Sequence, residues 1–529
     1  MAWKNWSQWL FPLASGALAA TAMPGLDGAF LILVALIPLL HEISSGRGLR
    51  AGLLFGVAFF AIDLRWILTL YRFTPLVVPG FALMVVYLAL PVGLLGLVLA
   101  RLRRRSGDVR WAFAAAAGFA LLEFLRSLGP LGISFSSLYL SLHRVPSFVQ
   151  LAAFLGPYAI TAAIVGVNAF LYAALRKRDA RFALGALASV ALLVVPAFVP
   201  IPADSGPRKR VAVISSLVEQ EAKLNTQNLA TLLARYGALA DRAVATEPDL
   251  VVFPESFLPT YILHNPPVLA RLAAVARDSG ARVLFGTGDV REGDLYNCAV
   301  LLDRAGDVVA LYDKARPVPF GEYIPGRSAW EALGLGPLMD SFLPYDLRAG
   351  RDELPLDRIA TPICFEATFP DGSRALVRRG ATLIVTVTND AWFSLSSQRD
   401  AHFAFAVFRA VENRRWMIQA ANGGVSGVVS PSGRVTASTR DEGVVIGEVF
   451  ERSDVSAYTR WGDLPALCAF GIAILIAVPR SRSAPSERAG ARRSSETKEG
   501  DANLKRKGER ETPSRSPVAF GGLLLSPAS

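Results

Sequence analysis

The chain is poor in the residues that staple or metallate a protein. It has three cysteines (Cys298, Cys364, Cys468) and four histidines (His41, His143, His264, His402) in 529 residues. Three cysteines are too few for a disulfide framework. The histidines are scattered without ligand spacing, so the sequence offers no metal site and implies no cofactor. Charge is scarce as well. Asp, Glu, Lys and Arg make up 19% of the chain against 52% hydrophobic residues, and the mean hydropathy is +0.38. That balance excludes a purely soluble globule, and the length leaves room for more than one domain. The middle of the chain lacks any basic excess. Residues 207–479 hold 28 Lys and Arg against 31 Asp and Glu, while 1–206 hold 16 against 7 and 480–529 hold 11 against 6. Nucleic acid would want a basic patch on the folded soluble part, so it is excluded as the partner.

What is abundant is apolar sequence in long runs. A bilayer core about 30 Å thick needs roughly 20 apolar residues per helix. Spans are expected near 8–24, 28–41, 52–70, 75–100, 111–128, 155–175, 182–200 and 461–479, about eight in all. The 131–154 stretch reads as a re-entrant or interfacial segment. Lys4 and the ALAATA run give the first span the features of a cleavable signal. Six more spans follow directly, and an uncleaved first helix is expected. The loop 101–110 carries five arginines and 176–181 carries four Lys or Arg, whereas 24–28 has none. Placing the basic loops inside puts residues 201–460 outside the cytoplasm. Asp63 and Arg65, and Glu123 and Arg126, are ionisable groups at or near membrane depth. Glu123 and Arg126 lie three apart on one helical face, which suggests a local ion pair, with headgroup binding as the alternative.

The resulting division is an N-terminal transmembrane bundle (1–206), an extracytoplasmic domain (207–456), a C-terminal transmembrane helix (457–479) and a basic cytoplasmic tail (480–529) whose polar composition reads as disordered. In the middle domain, strands are expected at 210–215, 250–255, 282–286, 297–303, 308–312, 359–365, 382–388, 416–421 and 444–449. Helices are expected at 225–246, 266–279, 371–379 and 400–414. Strands alternating with helices indicate a layered α/β domain.

Three strand ends carry reactive groups: Glu255 in VVFPES, Lys314 in LYDKARPVPFGEYIPG and Cys364 in TPICFE. Singly each has an ordinary explanation, a surface carboxylate, a solvated cation and a small buried hydrophobe. Together they form a device. A thiol reacts as its thiolate, which a neighbouring ammonium favours. A carboxylate takes the thiol proton and returns it to a leaving group. The backbone N–H of Phe365 is placed to join an oxyanion hole.

The segments VVFPES, YDKARPVPFGEYIPG, ICFE, TNDAWF and RAVENRRWMIQAANGGVSGVV resemble the nitrilase superfamily, in that order. The flanking spans single out its membrane-embedded branch, the bacterial apolipoprotein N-acyltransferases. The resemblance covers about residues 1–479 and is densest over 250–430. It implies a four-layer αββα sandwich inserted in a polytopic helical membrane protein of the bacterial inner membrane, and a ping-pong reaction. Cys364 would take an acyl chain from a phospholipid as a thioester. The N-terminal amine of a diacylglyceryl-cysteine lipoprotein would then accept it. Glu255 would be the base, Lys314 the stabiliser of oxyanion and thiolate, Glu322 a support for the lysine, and Glu366 a residue that shapes the site.

Several positions depart from the family pattern. Leu224 stands where a Trp is usual, Phe365 where a Tyr is usual, Ser394 for Gly and Ala401 for Gln. The usual Arg near Gln419 is absent, and Ile133-Ser134-Phe135 replaces Phe-Pro-Trp. These changes leave two alternatives open: an amidase or acyltransferase with another amine acceptor, and a non-catalytic lipid-binding paralogue. Finally, two loops beside the reactive groups are unusually apolar, 257–269 and 330–347. Trp330, Leu333, Leu335 and Phe342 of the second are expected to form a lipid-facing lid.

Overall fold

Apolar runs in the middle of the chain become strands, and those at 250–252, 383–389, 417–422 and 426–429 are buried on both faces. The computed structural model describes residues 2–351, 354–393 and 395–478; Ser394 and the tail 480–529 lie outside them. Strands β1 (Arg208–Ser215), β2 (Leu250–Val252), β3 (Arg282–Arg291), β4 (Asp294–Leu302) and β5 (Val308–Asp313) belong to one sheet. Strands β6 (Ile359–Ala360), β7 (Leu383–Asn389), β8 (Met417–Asn422), β9 (Ser426–Val429) and β10 (Val435–Thr439) form a second. Strand β11 (Gly443–Phe450) returns to the first, which runs β11-β1-β2-β3-β4-β5; the second runs β10-β9-β8-β7-β6. Val211 and Val213 share one apolar core with Ile384 and Val387 of the facing sheet. Ala212 and Ile214, on the other face of β1, share a second core with Leu232, Leu239 and Ala243. Helices Leu229–Val244 and Pro266–Ser279 pack on the first sheet, and Pro370–Arg378 and Gln398–Asn413 flank the second. The layers are helix, sheet, sheet, helix.

The strand expected at 359–365 pairs only over Ile359–Ala360. Cys364 then takes a left-handed φ of 50°, which no strand accommodates. The chain instead turns through Cys364–Thr368. The hairpin β9–β10 was not expected, because its glycine-rich sequence lacks a strand pattern. Its turn closes through Gly433, at φ 83°, with Ser430 N–H donating to the Arg434 carbonyl at 2.9 Å.

Among the described residues, four helical segments are long and apolar enough to cross a bilayer: Ala29–Asp63, Val77–Arg103, Pro157–Lys177 and Arg181–Phe198. Helices Ala2–Thr21, Asp108–Arg126 and Leu464–Ala477 accompany them. Helical geometry in Ala29–Asp63 breaks at Gly46 (φ 89°), and the chain reverses there. Gly25 lies against Ser397 of the α/β domain, Gly46 lies beside Arg104, and Asp63 is back near the domain. Gly48, Gly52 and Gly56 recur every four residues on Gly48–Asp63 and admit Val77–Arg103 at close range. A Cβ at Gly52 would strike the Val92 carbonyl, and one at Gly56 would sit 2.7 Å from the Ala89 Cα. Small residues allow such approach where apolar lipid gives helices no other reason to associate.

The helix expected over 52–70 ends at Asp63 and gives way to the tighter turn Arg65–Arg72. Nor do Glu123 and Arg126 form the expected local ion pair. Glu123 accepts from the Leu138 N–H at 2.6 Å and from the Thr161 hydroxyl at 2.5 Å. Arg126 donates to the Ser137 hydroxyl at 2.8 Å, and the Ser136 hydroxyl donates to Asp63 at 2.5 Å. These polar groups hold the buried 134–143 segment, whose own backbone groups need partners away from water. The segment carries Phe135 to within 6.3 Å of the His402 ring and 5.2 Å of Phe405. The bundle also grips the α/β domain at Arg72, whose guanidinium donates to the Ala391 carbonyl at 2.6 Å, and at Trp66, which stacks edge-on with Phe393.

Candidate active site

Every reactive group sits where a strand ends, because a strand holds its last residues rigidly while the loop beyond it is free to turn inward. Glu255 follows β2, Lys314 follows β5 and Cys364 follows β6. Gly286 on β3 is required by the first of these, since a Cβ there would lie 2.5 Å from the Glu255 Cα. Lys314 is 1% exposed. Its Nζ lies 2.8 Å from Glu322 Oε1 and 3.4 Å from Glu255 Oε1. Burial opposes the ammonium, but the two carboxylates outweigh it and hold the group above the usual lysine range. Asn297 on β4 completes the cluster, its Nδ2 donating to Glu255 at 2.6 Å and to Glu322 at 3.1 Å. The second oxygen of Glu322 accepts from Val318 N–H at 2.7 Å, which closes the loop that follows the lysine.

The Cys364 turn is tied to that loop by Glu366. One carboxylate oxygen takes the N–H groups of Ala315 and Arg316, at 2.6 and 2.9 Å, and the other takes Ile363 N–H at 2.8 Å. Glu366 therefore fixes the sulfur-bearing turn against the lysine-bearing one. Burial pushes its own carboxyl up to about 7, against these donors and Lys314. A non-glycine residue in the left-handed region costs about 1–3 kcal/mol, so the turn at Cys364 depends on such anchors. Phe365 stacks edge-on against Phe369 at 5.0 Å. The thiol is pushed well above its ordinary range, first by burial and then by the charge of Glu255, with Lys314 pulling the other way. The ammonium does favour the thiolate, as expected, but burial and Glu255 win. At rest the sulfur keeps its proton.

Thus the structure brings Glu255, Lys314, Glu322, Cys364 and Glu366 into one site, with Phe365 beside them. The 326–347 segment folds as two short helices, Arg327–Ala332 and Gly336–Phe342, and Leu347 N–H at its end donates to the Glu322 carbonyl at 2.7 Å. Leu333 is 71% and Leu335 37% exposed. Trp330 and Phe342 are half-buried, and Trp330 donates to the Pro325 carbonyl at 3.1 Å. The other apolar loop is core instead: Phe257, Leu258 and Ile262 are buried against Tyr236 and Phe253. Apolarity alone does not distinguish a lid from a core.

Sequence reading missed four groups. Asn297 carries no signal beyond a strand-end position. Lys223, in the turn of helix Gln220–Leu224, is buried with its Nζ 3.4 Å from the Glu255 carbonyl, and its charge interacts with that of the Glu255 carboxylate. The neighbouring Leu224 is 60% exposed. Asp390 and His402 are the other two. His402 Nδ1 lies 2.7 Å from Asp390 Oδ1, and its Nε2 lies 3.0 Å from the Cys364 carbonyl oxygen. Ligand-type atoms of Cys364, Asp390 and His402 all fall within 4.8 Å of one another. Both imidazole nitrogens are engaged in hydrogen bonds, however, so the group reads as a bonded chain rather than a cation site. TNDAWF was recognised as a segment, but the spacing to His402 was uninformative.

Lys223 supplies a test of this electrostatic picture. Burial pushes its ammonium down to about 7, against the pull of Glu255. The unfolded value is about 10.4. A depressed folded value means a contribution intact above the unfolded value and lost as pH falls toward the folded one. Lys223→Met is therefore expected to raise the thermal midpoint more at about pH 6 than at about pH 9. Equal shifts in unfolding scans at the two pH values would contradict the assignment.

Comparison with known proteins accounts for most of the chain. Residues 211–458 match the carbon-nitrogen hydrolase family, and residues 15–170 match the apolipoprotein N-acyltransferase N-terminal domain. An apolipoprotein N-acyltransferase of Geobacter metallireducens is 31% identical over 510 residues, covering 89% of this chain and 95% of the relative. One from Allorhizobium ampelinum is 30% identical over 485 residues, covering 82% and 88%. Among solved structures, an amidase of the nitrilase superfamily from Nesterenkonia is 20% identical, with a TM-score of 0.36, covering 47% of this chain and 93% of its own. Matched from its apolar N-terminal bundle through its α/β domain, the chain belongs to the apolipoprotein N-acyltransferase family.

Proposed function

We propose that the protein moves an acyl chain from a membrane phospholipid, through a thioester on Cys364, to the N-terminal amine of a diacylglyceryl-cysteine lipoprotein. The observation that carries this reading is the buried Glu255–Lys314–Glu322 network beside a protonated thiol, in a domain gripped by apolar helices. In the first half-reaction Glu255 takes the thiol proton and the sulfur attacks the ester carbonyl. Lys314 and the Phe365 N–H stabilise the oxyanion, the C–O bond breaks, and Glu255 returns the proton to the departing lysophospholipid oxygen. In the second, the amine attacks the thioester and the C–S bond breaks. The nitrogen's proton passes through Glu255 back to the sulfur. Purified protein given phospholipid and a diacylated lipopeptide is expected to yield triacylated product by mass spectrometry. Cys364→Ala is expected to yield none, while Cys298→Ser and Cys468→Ser retain most activity. Turnover by Cys364→Ala would remove the mechanism, and fatty acid release without triacylation would identify a hydrolase.

The proposed topology keeps eight spans and the domain boundaries at 206, 456 and 479, with the α/β domain on the extracytoplasmic side of the inner membrane. It is supported by where the loops meet. Asp108 pairs with Arg103 at 2.5 Å and with Arg176, and Ser106 donates to the Ala477 carbonyl at 2.7 Å. The basic loops thus gather at one end of the bundle, and Arg72, Trp66 and Phe135 meet the α/β domain at the other. Reporter fusions after Arg105 and Arg178 are expected to report cytoplasm, and a fusion near residue 300 the opposite side. A cytoplasmic signal near residue 300 would overturn the orientation.

Leu333 and Leu335, with half-buried Trp330 and Phe342, are proposed to rest in the headgroup region as a lid over the donor's path. Burying an apolar side chain of this size contributes roughly 1.5–3 kcal/mol. Leu333→Asp and Trp330→Asp should therefore weaken use of bilayer phospholipid by at least about tenfold relative to a short soluble ester. Equal loss with both donors, or no loss, would make the segment structural.

A further inference from the structure

The nucleophile's backbone sits in a conformation that side chains rarely adopt, and something must hold it there. Cys364 has a φ of 50°. Its carbonyl oxygen faces His402 Nε2 at 3.0 Å. A carbonyl only accepts, so Nε2 carries the proton and donates. Nδ1 faces Asp390 Oδ1 at 2.7 Å, and that same oxygen also receives the Thr388 hydroxyl and the Gln398 amide, each at 3.1 Å. The carboxylate is therefore clamped from three sides and fixes the ring's orientation. Asp390 and His402 are 0% and 1% exposed. Phe135, brought up by the membrane bundle, covers the imidazole at 6.3 Å. Asp390, Thr388 and His402 come from β7, the turn after it and helix Gln398–Asn413, elements that contribute none of Glu255, Lys314 or Cys364.

We propose that His402, oriented by Asp390, is a positioning residue for the nucleophile. Its Nε2–H holds the Cys364 carbonyl, keeps the residue in its left-handed turn, and so aims the sulfur at the Glu255–Lys314 network. The role rests on Cys364 being the nucleophile. A buried histidine that merely fills space would need only its volume. One that holds a carbonyl needs an N–H donor at the reach of Nε2. Glutamine places an amide N–H near that reach, asparagine falls short at the reach of Nδ1, and leucine keeps volume with no donor.

The test uses the full chain in detergent with phospholipid donor and diacylated lipopeptide acceptor, measuring kcat and KM. His402→Leu is expected to lower kcat about 100-fold, the effect of a small misplacement of reacting groups, with KM for phospholipid unchanged. His402→Gln is expected to exceed His402→Leu and His402→Asn in kcat by about tenfold, as a restored hydrogen bond would. Wild-type kcat in His402→Leu would overturn the proposal. So would equal kcat in the Gln and Asn variants, a comparison that stands if the leucine variant is not recovered folded. Cys364→Ala run alongside separates the two claims. An active Cys364→Ala removes the nucleophile itself, whereas an inactive Cys364→Ala beside a fully active His402→Leu removes only the positioning role.

Discussion

The structure of the site depends on one buried cation. The Lys314 ammonium is almost wholly out of water, a position that is untenable without compensation. Glu255 and Glu322 provide it, and Asn297 satisfies both carboxylates in turn. Breaking such a network by removing one partner leaves a charge uncompensated, so its members are fixed together. The consequence is a carboxylate held in place beside a thiol that keeps its proton. Glu255 is thus the ammonium's counter-ion and, in the proposed reaction, the base for the thiol, and one geometry would serve both roles.

Around that cation, separate parts of the fold set separate coordinates. Glu366 bonds the lysine loop to the cysteine turn from the α/β domain's own backbone. Asn422 stitches the two sheets at the site's edge, its amide donating to Val218 O and Asn389 Oδ1 at 2.9 Å each. The membrane bundle contributes through Arg72 and the 134–143 segment, which reach the loop and helix that carry Asp390 and His402. The ionisable groups Asp63, Glu123 and Arg126, at or near the ends of their helices, hold that segment in place. The soluble-type domain and the helices are thus coupled by polar contacts at helix ends as well as by apolar packing.

Much of this was legible in the sequence, for identifiable reasons. Strand ends bearing Glu255, Lys314 and Cys364 stand out because alternation stops and turn residues begin there. Apolar runs announce the helices by length alone. Asn297 was illegible because its role arises from pairing: β4 lies beside β5, so that Lys314 N–H bonds the Asn297 carbonyl at 2.8 Å. His402 was illegible because it lies 38 residues from the carbonyl it faces, in a helix buried on nearly every side. Glu123 and Arg126 misled because an i, i+3 spacing looks the same whether the partners are each other or a passing segment. Of the two apolar loops, 257–269 buries Phe257, Leu258 and Ile262 while 330–347 exposes Leu333 and Leu335, a difference that apolar composition alone does not reveal.

The central claim is that Cys364 carries the acyl chain. The most direct measurement is peptide mass spectrometry of the protein incubated with phospholipid and no acceptor. The account requires an acyl mass on the peptide containing Cys364, lost on treatment with hydroxylamine and discharged by adding a diacylated lipopeptide. An unmodified Cys364 peptide under conditions where triacylation proceeds on adding acceptor, or an acyl group on another residue, would contradict it.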